Sequence, residues 1–388
     1  MNSKPLAGIK VIDMTHVLTG PYCTQMLVNL GAEVIKVEAP NAGDHSRRFA
    51  PFYNGKSLYF EMINGGKKSV VLNLKDAGDL DVLKQLIAKA DILVENFRPG
   101  VMAKFGLGYE TLHKEFPRLI YASISGFGQT GPDALKPAYD ILAQARGGIM
   151  SLTGQPDGDP TLVGVSLTDL LGGIFTAQAI STALYQREKT GKGQLLDVAL
   201  LDCEIAMLEC SMMRYQATKQ APKRVGNRHP SEAPFQEFRS ADRPFVIAAI
   251  AGDEMFVRLC AVIGTPELAQ DPRFSTTEAR HDFVDELGAA LQKVFVEKPA
   301  AEWIKLLEAA AIPVALVQDL AEVAHDPQVL ARNMLIDSED PSLAGVQFMG
   351  LPIKMSSFAD EKPVHQKAPT LGEHTESVLA EWGIKRKS

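Results

Sequence analysis

The chain of 388 residues is long enough for two domains of ordinary size, and its composition of 46% apolar and 22% charged residues is typical of globular proteins. Its formal net charge of −7 argues against a general nucleic-acid binder but is compatible with a local basic groove for a phosphorylated ligand. The four cysteines form no CxxC pair and show no metal-ligand spacing, so we expect reduced, mostly buried thiols.

The N-terminal sequence leads directly into a strand pattern and lacks the charged and apolar regions of a signal peptide. No uninterrupted apolar run approaches the roughly 18 residues that a membrane-spanning helix requires. These features predict a cytoplasmic or matrix-like protein without a membrane partner.

Short β-rich runs alternate with helical patterns over the first two hundred residues. The predicted strands are 8–13, 33–38, 69–73, 92–95, 119–125 and 194–199, and the predicted helices are 21–30, 79–90, 168–187 and 202–217. Strands separated by helices indicate βαβ units and a mainly parallel sheet. Ligands bind beyond the carboxyl ends of such strands, which singles out the loops 16–20, 96–100 and 126–132.

A change of composition divides the chain. Lys, Arg, Pro and His interrupt the periodicity at 218–234, which we interpret as a linker between a large domain (1–217) and a smaller α/β domain (235–318). In the small domain we predict a strand at 244–249 and helices near 254–263, 283–296 and 299–311. The segment 319–388 is predicted to return to the large domain. The methionines near 207–213 fit a core or a subunit interface better than a chemical role.

One glycine motif resembles a dinucleotide site but lacks its context. The sequence GFGQTGP at 126–132 matches GxGxxG after a predicted strand. Pro132 and Pro137 prevent a helix from opening at the last glycine, so no helix N-terminus would meet a pyrophosphate. We therefore interpret Gly126, Gly128 and Gly131 as a turn where the backbone approaches another group closely.

Other familiar catalytic patterns are missing from the sequence. It contains no GxSxG elbow, no recognisable Ser or Cys triad and no HExxH motif. His16 follows the first strand, where a functional histidine and a packing histidine are equally compatible with the pattern.

Asp169 allows two interpretations. It is a lone acid in the first turn of a long apolar helix, where a carboxylate commonly satisfies free N–H groups and the helix dipole. The same position favours an ionised carboxylate, which is a competent covalent nucleophile. Nearby Gly164, Gly172 and Gly173 would leave room for a substrate.

Basic residues recur near the predicted strand ends. A solvated surface explains them, but their position beside the candidate loops also makes an anionic ligand plausible, because Lys and Arg pair well with phosphate. The set comprises Arg47, Arg48, Lys75, Arg98, Lys104 and Lys136.

Several ordered motifs together resemble the class III CoA-transferase family, which also contains the α-methylacyl-CoA racemases. They are LAGIKVID (6–13), THVLTGP (15–21), LGAEVIKVE (30–38), KKSVVLNLK (67–75), VENFRPG (94–100), GFGQTGP (126–132), SLTD (166–169), KTGKG (189–193), PQVLAR (327–332) and LGEHT (371–375). The resemblance covers nearly the whole chain. It implies a Rossmann-like large domain with a parallel sheet, a smaller α/β domain, and a homodimer whose two subunits interlock like rings.

The resemblance also implies roles for individual residues. Asp169 would be the catalytic aspartate, and Gly126, Gly128 and Gln129 would belong to the active-site loop. The implied coenzyme A contacts are His16, Val17, Leu18, Arg47, Leu72, Asn73, Leu74, Lys75, Asn96, Phe97, Arg98, Lys104, Lys136, Tyr139 and Asp140. Coenzyme A thioester and a small carboxylic acid would be the substrates, with no metal or redox cofactor.

The implied reaction moves coenzyme A between carboxylic acids through an anhydride and a thioester of Asp169. Two alternatives stay open: an α-methylacyl-CoA racemase and a non-catalytic acyl-CoA-binding protein. In the racemases a His precedes the Asp that here is Asp140, and this chain has Tyr139, whose ordinary pKa of about 10 makes it a poor base. This difference favours transfer.

Two departures bear on the substrate. Formyl-CoA:oxalate members of the family have a Gln after the loop histidine and a run of glycines in the small domain. This chain has Val17, and AAIAGD at 248–253. We therefore do not expect formyl-CoA and oxalate to be its natural pair, and relatives suggest a dicarboxylate such as succinate.

Overall fold

A six-stranded parallel sheet organises the larger part of the chain. The computed structural model describes residues 4–357 and 363–386, so the terminal residues of the predicted domains (1–3 and 387–388) and 358–362 lie outside the described residues. The strands are β1 (Lys10–Asp13), β2 (Glu33–Glu38), β3 (Phe52–Tyr53), β4 (Lys56–Ser57), β5 (Lys68–Val71), β6 (Ile92–Glu95), β7 (Ile120–Ser125), β8 (Leu195–Ala199), β9 (Phe235–Arg239), β10 (Pro244–Ala248), β11 (Val314–Leu316), β12 (Leu335–Asp337) and β13 (Gln347–Met349).

Helices connect these strands. They are α1 (Thr19–Asn29), α2 (Leu58–Asn64), α3 (Ala77–Ala88), α4 (Val101–Lys104), α5 (Tyr109–Glu115), α6 (Asp140–Gly147), α7 (Ile149–Leu152), α8 (Leu167–Thr190), α9 (Leu200–Ala206), α10 (Glu209–Thr218), α11 (Asp253–Val262), α12 (Thr277–Asp282), α13 (Val284–Phe295), α14 (Ala300–Ala309), α15 (Leu320–Val323), α16 (Pro327–Ala331) and α17 (Thr375–Glu381). Short 3₁₀ turns occur at His45–Arg48, Pro266–Gln270 and Pro341–Leu343.

The sheet has the order β5-β2-β1-β6-β7-β8, and every neighbouring pair is parallel. Counted along the chain this is the 3-2-1-4-5-6 order of a doubly wound Rossmann-like sheet. Buried side chains alternate between its faces. Ile12 and Leu93 pack in the layer that contains residues of α3 and α17, while Val11 and Ile92 pack with residues of α1 and α8.

The chain divides into two compact units. The first comprises 1–150, 162–219 and 327–388, and the second comprises 151–161 and 220–326. The segment 151–161, which we expected in the large domain, therefore belongs to the second unit. Two contacts hold it there: the Gly226 amide donates to the Gly154 carbonyl, and Arg224 donates to the Gln155 carbonyl.

The second unit has a three-stranded antiparallel sheet in the order β11-β10-β9. Phe238, Phe245, Phe295 and Trp303 form an aromatic cluster in its core, with neighbouring ring centroids 4.9 to 5.3 Å apart. The sequence predicted β10 and three of the helices but missed β9 and β11. β11 has only three residues, and no residue of β9 except Phe238 is fully buried, so neither strand produces a clear alternation.

In the large sheet all six predicted strands occur, with bounds within two residues of those predicted. The prediction of one helix at 202–217 is wrong. α9 ends at Ala206 and α10 begins at Glu209, whose φ of +36° is incompatible with a continuous right-handed helix. Met207 and Met213 are exposed in this structure, which leaves a subunit interface as their proposed role.

Helix α8 is long and apolar enough, by length and composition alone, to cross a membrane. A single helix of this kind is weak support for a membrane span, because the central helices of domains meet the same criterion. Ala177, Ile180 and Ala183 of α8 are indeed buried in the core of the first unit.

Cys23, Cys203 and Cys260 are buried free thiols, and Cys210 is an exposed one.

A buried ion network underlies the loop after β1. Lys67 Nζ lies 3.0 Å from Asp13 Oδ2, Lys36 Nζ lies 2.8 Å from Asp44 Oδ2, and all four side chains are fully buried. Burial lowers the pKa of Lys67 to about 8, against the opposing attraction of Asp13. Burial alone would raise the pKa of Asp13, but Lys67 and Lys36 together hold it well below its usual range.

We expect Lys67→Met to destabilise the first unit by about 3–5 kcal/mol, because it leaves the buried Asp13 carboxylate without its nearest cation. Lys68→Met is the matched control. Lys68 lies next in sequence and pairs with Glu33 and Glu381 at the partly exposed surface, so its removal should cost under about 1 kcal/mol.

The measurement is urea unfolding followed by tryptophan fluorescence in a Trp303→Phe background. The chain has two tryptophans, and this change leaves Trp382, which is buried in the first unit, as the reporter. Equal destabilisation by the two lysine variants would contradict a structural role for the buried network.

Candidate active site

The sheet order reverses between β1 and β6, and the loops that follow these two strands are bound to each other. The Asn96 side chain accepts a hydrogen bond from the His16 amide and donates one to the His16 carbonyl, both at 2.9 Å. The edge of the His16 ring also packs on Phe97, with the ring centroids 5.3 Å apart. This topological switch point is where open α/β sheets bind ligands.

The turn after His16 has an unusual backbone conformation. Val17 has a φ of +68°, a left-handed conformation that is unfavourable for a β-branched residue. The Asp44 carboxylate accepts a hydrogen bond of 3.1 Å from the Val17 amide, and Lys36 donates one of 2.9 Å to the Thr15 carbonyl. The buried ion network therefore fixes the turn that leads into α1.

Helix α1 packs closely against the first turns of α8. A Cβ atom at Gly172 would lie 2.8 Å from the Thr19 methyl carbon, and one at Gly173 would lie 2.9 Å from the Thr19 carbonyl oxygen. We expected these glycines to leave room for a substrate, but the structure fills that space with α1. Their lack of side chains lets the Thr19 hydroxyl reach Asp169 Oδ1, at 2.5 Å.

Asp140, rather than Asp169, caps helix α8. Asp140 Oδ1 accepts hydrogen bonds from the Thr168 amide at 2.8 Å and the Thr168 hydroxyl at 2.7 Å, with the Asp169 amide more distant at 3.4 Å. Its other oxygen accepts a bond of 2.8 Å from Gln144. Asp140 therefore satisfies the first N–H groups of α8, and the carboxylate of Asp169 is not needed as a cap.

The environment of Asp169 differs from the sequence-based expectation of a readily ionised acid. Burial raises the pKa of Asp169 to about 6, the Thr19 hydrogen bond opposes this change, and the negative charge of Asp140 adds to it. Among the described residues no Lys or Arg forms an ion pair with Asp169. The carboxylate is mostly ionised at pH 7 and is more basic than an ordinary aspartate.

Two residues of this site were missed from the sequence. Thr19 lies within the candidate loop 16–20 and the motif THVLTGP, but nothing in the sequence assigned its side chain a role. Burial raises the pKa of Tyr59 to about 12, with added effects from the charges of Asp169, Asp44 and Asp140, so its phenol stays neutral beside the site. Tyr59 is the second residue of the short helix α2, which carries no recognisable motif, and only the folded chain brings it near Asp169.

The implied coenzyme A contacts fall into two groups. The exposed group can meet a ligand directly: Asn73, Lys75, Arg98, Lys104, Lys136 and Tyr139. Lys136 is paired with Asp133 at 2.5 Å in this structure. Burial lowers the pKa of the partly buried His16, which favours its neutral form.

Other implied contacts are engaged within the protein. Leu18 and Leu72 are buried, and Leu74 packs against the core, so the leucine side chains offer little surface to a ligand. Arg47 directs its guanidinium onto Glu38, with N–O distances of 2.6 and 2.8 Å, and onto the Pro369 carbonyl at 3.0 Å. Arg47 therefore has a structural role here, because its guanidinium N–H groups already donate to Glu38 and Pro369.

The loop 126–132 forms a turn, and no helix begins at its last glycine. Gly128 has a φ of +86°, and its amide donates to the Ser125 hydroxyl at 2.9 Å. The Gln129 amide donates to the Asp197 carboxylate at 3.0 Å. A Cβ at Gly126 would lie 1.9 Å from that of Ala138, so this glycine permits a close approach.

A buried acid links this loop to the loop after β6. Burial raises the pKa of Glu95 to about 7, and its carboxylate accepts hydrogen bonds from the Ser123 hydroxyl and, at 2.8 Å, from the Phe97 amide. Ser123 in turn accepts a bond of 2.8 Å from the Gln129 side chain.

The described residues contain no group of three or more His, Cys, Asp or Glu side chains that could hold a metal ion.

We expect Asp169 to titrate near pH 6 in the free protein. Infrared difference spectra between wild type and Asp169→Asn, recorded from pH 4 to 8, should contain a protonated carboxyl band that disappears with a midpoint near pH 6. The raised pKa follows from burial and from the charge of Asp140. A midpoint near pH 4, the ordinary value for an aspartate, would show that the carboxylate is solvated.

Comparison with known proteins agrees with this fold. The chain is 50% identical to the acetyl-CoA:oxalate CoA-transferase of Acetobacter aceti, over 97% of this chain and 96% of that protein. It is 39% identical to the succinyl-CoA:glutarate CoA-transferase of Mus musculus, over 97% of this chain and 86% of that protein. A CAIB/BAIF family protein from Brucella suis has a crystal structure that superposes with a TM-score of 0.86 at 38% identity, covering 98% of this chain and 100% of that one.

The sequence model of CoA-transferase family III matches residues 6–375, which is nearly the whole chain. The matches to the three relatives named above extend over at least 97% of this chain and at least 86% of each relative. Two of these relatives are CoA-transferases by name. The matched range includes the whole parallel sheet and helix α8. The chain belongs to CoA-transferase family III.

Proposed function

We propose that this CoA-transferase works through a covalent intermediate on Asp169 and that its acceptor is a small dicarboxylic acid. The observation that carries the proposal is the state of Asp169, a partly buried carboxylate held by one hydroxyl, with its pKa raised to about 6. An ion pair with Lys or Arg would weaken such a nucleophile. A raised pKa strengthens it while leaving most of it ionised at pH 7.

The proposed reaction begins with attack of Asp169 on the thioester carbonyl of an acyl-CoA. The C–S bond breaks, giving a mixed anhydride and coenzyme A thiolate. The thiolate then attacks the aspartyl carbonyl and expels the donor acid as a carboxylate, which leaves an aspartyl-CoA thioester. The acceptor carboxylate reverses both steps, so the free energy of the thioester is retained.

Coenzyme A would lie at the carboxyl edge of the sheet. The loops after β1 and β6 meet there through His16 and Asn96, and exposed cations near these loops would meet the phosphates. Among them, Lys75 and Arg98 are exposed in loops, and Lys104 is exposed at the end of α4. Tyr139, which is also exposed, would provide a surface for the nucleotide or the pantetheine arm.

The acceptor is proposed from the relatives. The Acetobacter aceti protein acts on oxalate and the Mus musculus protein on glutarate, both dicarboxylic acids. Val17 and the segment 248–253 led us not to expect formyl-CoA and oxalate as the natural pair, but the 50% identity to an enzyme named for acetyl-CoA and oxalate supports oxalate with a different donor. We therefore propose acetyl-CoA with oxalate as the first pair to test, followed by succinyl-CoA with glutarate.

The covalent intermediate can be tested by mass spectrometry. After incubation with acetyl-CoA or succinyl-CoA and borohydride, wild-type protein should contain a reduced residue at Asp169, because borohydride converts an activated aspartyl group to an alcohol. Asp169→Asn should stay unmodified, and Asp133→Asn, which removes a surface aspartate, should react like wild type.

Absence of modification in wild type would exclude the covalent mechanism. Deuterium exchange at the α-carbon of a 2-methylacyl-CoA would then decide for a racemase, and binding of acyl-CoA without exchange would indicate a non-catalytic binding protein.

The rate of intermediate formation should rise with pH and level off above a midpoint near 6 in the free enzyme. Protonation of Asp169 removes the nucleophile, and its raised pKa places this loss between pH 7 and 5. Single-turnover rates measured from pH 4.5 to 8 provide the test. A rate that stays constant down to pH 5 would contradict the role of a raised pKa.

We also propose that the protein is a homodimer, as the family resemblance implies. Exposed apolar side chains on α8 and α10, among them Ile174, Tyr185 and Met213, support the proposal, because a second copy of the chain could cover them. Light scattering during size-exclusion chromatography should give twice the chain mass of 42.1 kDa. A monomeric mass at micromolar concentration would contradict the proposal.

A further inference from the structure

We propose that Thr19 is a catalytic residue whose hydroxyl stabilises the negative charge that develops on Asp169 Oδ1 when the aspartyl carbonyl is attacked. This inference rests on the proposed covalent function of Asp169. It assigns to one side chain the oxyanion donor that the aspartyl half of the reaction requires.

The geometry places the hydroxyl on a reacting atom. Thr19 is 5% exposed, and its Oγ1 lies 2.5 Å from Asp169 Oδ1. The methyl group of Thr19 faces Gly172, where a Cβ would lie 2.8 Å from it, so only glycine at position 172 leaves this side chain undisturbed. The hydrogen bond thus distinguishes the two oxygens of Asp169, and it leaves Oδ2 as the nucleophile.

Several backbone donors near the site are already engaged. The amides of Gly128 and Gln129 donate to Ser125 and Asp197, so two N–H groups of the glycine loop 126–132 are occupied. The Thr168 amide at the start of α8 donates to Asp140. Within the described residues, the Thr19 hydroxyl is the side-chain donor in contact with the Asp169 carboxylate.

The electron flow identifies the steps in which the hydroxyl acts. When Oδ2 attacks the acyl-CoA, it becomes the bridging oxygen of the anhydride, and Oδ1 becomes the aspartyl carbonyl oxygen. Attack of the thiolate on Cγ then moves the carbonyl π electrons onto Oδ1, and their return breaks the Cγ–Oδ2 bond and releases the donor carboxylate. Attack of the acceptor carboxylate on the aspartyl-CoA thioester places charge on the aspartyl carbonyl oxygen again.

These steps predict a selective defect. Thr19→Val preserves the shape of the side chain but removes the hydroxyl, and it should slow formation of the aspartyl-CoA thioester about 100-fold, the usual effect of losing one oxyanion donor. The KM for acyl-CoA should stay within about threefold, because Thr19 contacts Asp169, and Oδ1 of the anhydride is a neutral carbonyl oxygen that gains charge only when the thiolate attacks. Thr19→Ser keeps the hydroxyl and should form the thioester at close to the wild-type rate.

A rapid-quench experiment measures this directly. Wild type, Thr19→Ser, Thr19→Val and Asp169→Asn are mixed with acetyl-CoA, quenched at intervals, and analysed for coenzyme A attached to the peptide that contains residue 169. The pH dependence gives a second readout. The Thr19 hydrogen bond lowers the pKa of Asp169, so in Thr19→Val the midpoint should move upward, which a loss of packing alone would not cause.

The outcomes separate this inference from the proposed function. If wild type forms no coenzyme A adduct, the covalent mechanism fails and the role of Thr19 fails with it. If wild type forms the adduct and Thr19→Val forms it as fast as Thr19→Ser, only the inference about Thr19 is overturned. Equal losses in Thr19→Ser and Thr19→Val, with an unchanged pH midpoint, would show that the residue serves packing alone.

Discussion

The close approach of helix α1 to the first turns of helix α8 is the constraint on which the site depends. It is possible because α8 has glycine at two successive positions, Gly172 and Gly173, directly beneath Thr19. A side chain at either position would separate the helices and remove the hydroxyl from Asp169. The same contact partly buries the carboxylate, and this burial raises its pKa.

The turn that leads into α1 is held in place by hydrogen bonds to buried charged side chains. Lys36 and Asp44 hold the turn through the Thr15 carbonyl and the Val17 amide, while Lys67 binds Asp13 at the end of β1. An ion pair of this kind contributes little net stability compared with apolar side chains of the same size. Its function here is positional, since it stabilises a valine with a positive φ at the edge of the ligand loop.

Much of the fold was predictable because its signals are local. The β-rich runs of the large sheet and the glycines that end α8 follow directly from residue preferences along the chain. The ends of the predicted strands singled out the ligand loops, and the family resemblance added the individual residues expected to contact coenzyme A. β11 was not predictable, because three residues next to a proline carry no periodicity. The break between α9 and α10 depends on a positive φ at Glu209, a residue type that gives no such signal.

The site was predictable as a location but not as an electrostatic environment. A carboxylate in the first turn of a helix is expected to be stabilised by the dipole, yet another acid, Asp140, has taken that role and repels Asp169 instead. Which of two acids caps a helix depends on the packing of α6 against α8, two elements separated in sequence. Likewise, Arg47 is an expected phosphate contact by residue type, whereas its partner Glu38 on β2 is visible only in the folded chain.

In the mechanism we propose, the different roles of Asp140 and Thr19 explain how one carboxylate can serve two opposite requirements. As a nucleophile, Asp169 benefits from a neighbouring negative charge and from burial, because both raise its basicity. As an acyl carrier, its carbonyl must accept charge on Oδ1, and there a neighbouring anion is unfavourable. A neutral hydroxyl on Oδ1 resolves the conflict, because it lowers the pKa far less than a cation would and still donates to the oxyanion when the charge develops. A lysine in place of Thr19 would favour the second requirement at the expense of the first.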